Sequence, residues 1–323
     1  NTLKKLATLG YIGSPVKRKR GSGLADPKDK LEIFEKVSLA AEHINQDKYP
    51  EAAAALEEVL KEDPKVLQAR LLLSTCYNKL DRRPEAIEHL DIILKENPDN
   101  IQALITMANL LMQEGKYDDV IALCKKAIAV DNRNTQAYTL MGEVYMEAND
   151  HENALPNIEK SVEIQPKLTQ NRQNLAACFI GLKRYGEAET ILTDILKESP
   201  KFPFAHFHLG LLQEEQRQYE EALASYEKEV EYYPKTVPAR FNRAKILLAK
   251  GDLETYIDQM RKVVELDPKL AKGYLFLARG LLRKWDLLEN QGEVLTLVEK
   301  GIQLTTENRL KALGYFLMAD YYN

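Results

Sequence analysis

The sequence predicts an all-α fold, a right-handed superhelical solenoid of helix-turn-helix repeats. Three observations predict it. Prolines fall at positions 64, 98, 166, 200, 234 and 268, separated by 34 residues or twice that, and Asn132 stands at the skipped place. Each proline closes a segment with helical apolar spacing, such as EAIEHLDIILKENP. A proline cannot continue a helix and restricts the residue before it, so it punctuates the chain periodically. Counting back from the prolines sets repeat starts near 33, 67, 101, 135, 169, 203, 237 and 271. Small residues then fill the eighth place throughout: Ala40, Ser74, Ala108, Gly142, Ala176, Gly210, Ala244 and Ala278.

Each repeat divides in the same way. The first helix carries the small residue at its eighth place. A short turn follows, marked by pairs such as Lys48–Tyr49, Lys116–Tyr117, Arg184–Tyr185 and Gln218–Tyr219. The second helix has a small residue at the twentieth place (Ala52, Ala86, Ala154, Ala188, Ala222; Val120 and Tyr256 depart) and a large one at the twenty-fourth (Leu56, Leu90, Ile158, Leu192, Tyr226, Met260). Antiparallel helices approach closely only where small residues face each other, with bulky neighbours filling the space beside them. A helix pair of this kind cannot bury its apolar face alone and stacks on the next. The chain therefore divides into a basic leader (1–30), about eight repeats (31–304) and a terminal helix (305–323). The eighth repeat carries extra residues around RKWDLLENQGEV, which sets its second helix from Gly292 to about Leu304. The last segment, NRLKALGYFLMADYYN, reads as a cap or as the first helix of a ninth repeat.

The columns resemble the tetratricopeptide repeat, over roughly residues 31–304. The resemblance implies an inner wall lined by the second and fifth places of the first helices. That wall would carry Gln68, Gln102, Gln136 and Gln170 in register, then Phe204, Phe207, Phe241 and Leu275 toward the C-terminus. Gln side chains both donate and accept hydrogen bonds and suit an extended peptide, and an exposed Phe suits an apolar anchor. The expected partner is a protein or peptide.

The first 30 residues differ in character from the rest. They hold eight Lys/Arg against two Asp/Glu, a balance of +6, whereas the remaining 293 balance at -10. The segment LKKLATLGYIG, with Leu6, Leu9, Gly10 and Tyr11, followed by Asp26–Asp29, resembles the junction between hydrolase and repeats in bacterial sulfatase and alkaline-phosphatase-type proteins. That resemblance implies an extracytoplasmic setting and a catalytic domain upstream; no catalytic role passes to this chain. The basic arm also complements an acidic body. Leu6, Tyr11, Ile12, Lys17, Arg18, Lys19 and Arg20, with Phe316 and Tyr322 at the other end, are the candidates for self-assembly.

The sequence holds no phosphate-binding loop, no nucleophile elbow and no paired carboxylates of distinguishable roles. His206 and His208 stand two apart and point in different directions on a helix, so a metal pair is not expected. Cys76, Cys124 and Cys178 lie in different repeats and read as buried small hydrophobes. One KRKR run beside an acidic body is a poor nucleic-acid footprint, and no apolar run reaches the length of a membrane span. The expectation is a non-catalytic interaction scaffold without cofactor, presenting a concave groove. The alternatives are a self-assembling structural protein, as a head-to-tail oligomer or extracellular filament, and the accessory tail of a sulfatase-like hydrolase.

Overall fold

The computed structural model describes residues 27–284 and 291–322. The leader residues Leu6, Tyr11, Ile12, Lys17, Arg18, Lys19 and Arg20 lie outside the described residues. Those described form seventeen α-helices. First helices of the repeats are α1 (Pro27–Asn45), α3 (Leu67–Lys79), α5 (Ile101–Gln113), α7 (Thr135–Glu147), α9 (Thr169–Gly181), α11 (Ala205–Glu215), α13 (Val237–Lys250) and α15 (Ala271–Arg283). Second helices are α2 (Tyr49–Glu62), α4 (Arg83–Glu96), α6 (Tyr117–Val130), α8 (His151–Ile164), α10 (Tyr185–Glu198), α12 (Tyr219–Tyr232), α14 (Leu253–Leu266) and α16 (Gln291–Gln303), and α17 (Asn308–Tyr322) ends the series. The helices fall into two compact units, Asn1–Leu110 and Leu111–Asn323, with the division inside α5.

In each unit the small and large columns are the interior. Ala40, Ala52 and Leu56, then Ser74, Ala86 and Leu90, are fully buried in the first unit. In the second unit a methyl group at Gly142 would sit 2.4 Å from Cγ1 of Ile158, and one at Gly210 would sit 2.6 Å from the Tyr226 ring. Both glycines let the first helix of a repeat close onto the twenty-fourth-place side chain of its own second helix. Such contact leaves no room for even one added carbon.

Two local devices recur beyond the columns. The fifteenth place of seven repeats adopts the left-handed conformation that ends the first helix: Asp47, Asp81, Gly115, Asn149, Lys183, Arg217 and Gly251 all have φ between 56° and 86°. Residues in this conformation satisfy the open carbonyls at a helix end and turn the chain into the next helix. The carbonyls of four periodic prolines are each bound by the fourth-place side chain of the following repeat. Arg70 Nη2 donates to Pro64 O at 2.8 Å, Arg240 Nη2 to Pro234 O at 2.9 Å, and Tyr274 Oη to Pro268 O at 3.1 Å. His206 Nε2 does the same to Pro200 O at 3.0 Å, which sets its tautomer.

One first helix breaks the pattern. Its neighbours α7, α9, α13 and α15 start on the first place of their repeats, but α11 starts two residues late, at Ala205. Pro203 and Phe204 replace the missing residues, and Phe204 takes φ 63°. A left-handed phenylalanine is strained. Glu229 of α12 supports it from 25 residues away. It is 1% exposed, and its carboxylate accepts the backbone N–H of Phe204 at 2.8 Å and of Phe207 at 3.3 Å. Burial pushes the Glu229 carboxyl up, and these N–H groups pull against that shift.

Candidate partner-binding surface

The first helices carry the predicted surface, and the two units are taken separately. In the first unit, Gln68 on α3 and Gln102 on α5 are exposed. In the second unit, Gln136 on α7 and Gln170 on α9 are exposed. The fifth-place residues beside these two are polar. Thr139 on α7 is half-buried, and Gln173 on α9 is 1% exposed.

Adjacent first helices α7, α9 and the start of α11 are bound together by side chains. Thr139 Oγ1 donates to Asn171 Oδ1 at 3.2 Å, and Asn174 Nδ2 donates to Glu143 Oε1 at 2.9 Å. Gln173 Nε2 reaches Pro203 O at 2.8 Å. Gln170 Nε2 donates to Asn174 Oδ1 at 3.1 Å and to Gln173 Oε1 at 3.2 Å. Asn171 and Asn174 are themselves buried. Gln170 thus spends both its N–H groups on its own helix and keeps only its carbonyl oxygen free, whereas Gln136 is exposed and the buried Asn171 Nδ2 has no partner among the described residues. Glu143 adds negative charge to this wall. Burial raises its carboxyl above the ordinary range, with Asn174 opposing the shift and Glu147 reinforcing it.

The aromatic end of the predicted surface divides. Phe204 is 44% exposed and Phe207 is half-buried, with ring centroids 6.2 Å apart in an edge-to-face arrangement. Phe241 and Leu275 do not belong to the exposed surface. Phe241 is buried under the Phe276 ring, 5.0 Å away, and the Lys272 ammonium, 4.9 Å from its centroid. Leu275 is fully buried because α16 and α17 close over it at two glycines. A methyl at Gly301 would sit 2.6 Å from Leu275 Cδ2, and one at Gly314 would sit 3.4 Å from it. At the C-terminal end, Phe316 (62%) and Tyr322 (74%) are exposed, as is Tyr315 (59%), which the sequence reading did not single out.

The buried polar set of α9 was also missed. Asn171, Gln173 and Asn174 make the segment TQNRQNLAACFIG unusually amide-rich for an interior helix, and that composition was the available signal.

No group of three or more His, Cys, Asp or Glu could hold a metal ion among the described residues. Cys76, Cys124 and Cys178 are buried, and burial pushes their thiols up to about 11, 12 and 11 respectively. They therefore remain protonated and unreactive near neutral pH. Burial lowers His208 to about 4, so its imidazole is neutral there too. No described helix is long and apolar enough to cross a membrane.

This arrangement of antiparallel helix pairs, with small residues packed on large ones at a fixed period, is that of a helical repeat solenoid. The chain belongs to the tetratricopeptide-repeat family. Residues 21–206 match the tetratricopeptide repeat protein 21 C-terminal ARM domain, and residues 207–271 match the tetratricopeptide repeat. An uncharacterized protein, ycf37, of Cyanophora paradoxa is 31% identical over 115 residues, 34% of this chain and 67% of that protein. Two solved structures share the fold. A tetratricopeptide repeat protein from Parabacteroides merdae matches 77% of this chain and 98% of its own, with a TM-score of 0.68 and 17% identity. Yeast Tom70 matches 96% of this chain and 67% of its own, with a TM-score of 0.65 and 16% identity. Tetratricopeptide-repeat proteins serve as protein-interaction scaffolds.

Proposed function

We propose that the wall formed by α7 and α9 binds an extended peptide segment of a protein partner. The observation that carries this reading is the fixed amide lattice. Asn174 is bonded to Glu143, and Asn174 and Gln173 together hold the Gln170 amide at the exposed edge. A rotamer already held by its neighbours loses less entropy when a ligand arrives. Exposed Gln136 offers both donors and an acceptor to a peptide backbone, Gln170 offers its free carbonyl oxygen because its two N–H groups are held by Asn174 and Gln173, and Glu143 with Glu147 favours a segment rich in donors or positive charge. A photo-crosslinking residue placed at position 136 or 170, with a control at exposed Glu227 on α12, tests this. The same partner peptide should be captured from both wall positions, and capture from position 136 should be lost when Glu143→Gln is combined with Gln170→Ala. Equal capture from position 227 would remove the wall as the site.

A second reading is favoured by the exposed rings of α17: copies of the chain associate through that helix. The leader's resemblance supports a third setting, outside the cytoplasm and downstream of a hydrolase. A single reading frame joining such a hydrolase to these repeats tests it.

A further inference from the structure

The late start of α11 leaves a cavity. It has a volume of about 480 Å³ and lies where the repeats of α11–α12 and α13 meet, at the loop edge of the second unit. Its walls are the rings of Phe204, Tyr232 and Tyr233 and of Pro203 and Pro234. The size falls within the range of small ligand sites, and such sites pair apolar walls with a few placed polar groups. One polar group is present and unused. Thr236 lines the cavity, is 6% exposed, and its hydroxyl has no hydrogen-bond partner among the described residues. It stands at the N-cap of α13 yet makes no side-chain cap. A buried hydroxyl left unpaired is costly, and a ligand group that bonded it would recover that cost.

Charge decides which ligand fits. Lys235 lines the cavity, and the Lys201 ammonium lies 5.1 Å from the Tyr232 ring centroid. The carboxylate of Glu229 borders the cavity, but it is spent on backbone N–H groups and is almost fully buried. A cationic ligand would therefore meet lysines and no free counter-charge, although the aromatic walls alone would suit it. We propose that this cavity is a second docking site that takes one aromatic side chain of an acidic peptide, with the peptide backbone bonded to the Thr236 hydroxyl and flanking carboxylates paired with Lys201 and Lys235. The proposal does not rest on the amide wall of α7 and α9; the two surfaces meet only where Gln173 Nε2 bonds Pro203 O, and the exposed Gln136 and Gln170 distinguish them.

The probe is the capped peptide acetyl-Asp-Glu-Phe-Asp-amide, titrated into the isotopically labelled chain while backbone amide shifts are followed. Saturable shifts should centre on Phe204, Lys235 and Thr236 and spare Gln136 and Gln170. Thr236→Val replaces an unpaired hydroxyl with a methyl of the same shape. It should keep or raise the melting temperature and weaken the peptide about five-fold, the value of one ordinary hydrogen bond. The peptides with Ala for Phe, or with Lys for each acidic residue, should bind more weakly still. No saturable shift, shifts on the amide wall, undiminished binding by Thr236→Val, equal binding of the lysine peptide, or a melting temperature lowered by Thr236→Val would each overturn the proposal.

Discussion

Lys183 and Arg217 hold φ of 60° and 63° at the end of their first helices, where Gly115 and Gly251 occupy the same place at 70° and 86°. For any residue with a Cβ this conformation costs roughly 1–2 kcal/mol, part of which glycine gives back through its freer unfolded chain. Lys183→Gly should therefore stabilise the chain by about 0.5–1 kcal/mol, measured by urea unfolding with an unchanged denaturant slope. A loss of stability would mean that the Lys183 stem packs usefully against its turn. The same column shows where sequence reading stops at this scale. Gly115, Gly251, Asn149, Asp47 and Asp81 are of types that take the left-handed region readily, but Lys183 and Arg217 signal it only by their place in the period. Phe241 and Leu275 illustrate the other limit. Their spacing assigns them to the inner wall, but burial depends on what closes over them, here Phe276, Lys272, Gly301 and Gly314. No local pattern carries that information.

Among the elements, legibility was high wherever punctuation and packing agreed. The prolines and the small columns set repeat starts near residues 67, 101, 135, 169, 237 and 271, and α3, α5, α7, α9, α13 and α15 begin at those residues, whereas α1 begins at Pro27, ahead of the repeat start near 33. The start of α11 was set two residues early because the period carries no sign that Phe204 turns left-handed or that Glu229 replaces the lost turn. The packing itself is testable at α10. Leu192 is fully buried and clusters with Ala176, Phe179 and Ile180 of α9, Ala188 of its own helix, and Leu212 of α11. Leu192→Ala should cost about 2–5 kcal/mol, because a site shared by three helices cannot collapse to fill the void. Repeats are supported by their neighbours alone, so hydrogen exchange should accelerate first across α9, α10 and α11. Uniform acceleration over the whole of residues 111–323 would instead indicate one cooperative core.

For the whole molecule, the basic charge lies at the start of the sequence, and the most exposed large apolar side chains among the described residues, Tyr315, Phe316 and Tyr322, lie near its other end. The leader balances at +6 and the remainder at -10. Within the second unit, α17 packs buried Leu317 and half-buried Leu310 and Leu313 inward but leaves the rings of Tyr315, Phe316 and Tyr322 in solvent. Between α15 and α17 a depression of about 660 Å³ runs beside Phe316, lined by Leu282, Leu313 and Leu317 and edged by Arg279, Arg283 and Asp320. Exposed aromatic rings of this kind mark a contact surface, for the next helix of a further repeat or for a second copy, and a contact between unlike surfaces of two copies propagates head to tail unless it closes into a ring. Light scattering coupled to size exclusion should therefore show a mass that rises with protein concentration. The paired substitution Phe316→Asp and Tyr322→Asp should return it to a single copy without changing helical content, since both side chains are solvent-facing. Reversing Lys17, Arg18, Lys19 and Arg20 to Glu separates the two contributions: it should weaken association mainly at low salt if the leader meets the acidic body of the next copy, because exposed charges are screened beyond about 10 Å at 0.1 M salt. A constant single-copy mass for the unaltered chain at every concentration would rule out assembly through α17 and leave its rings for a different partner.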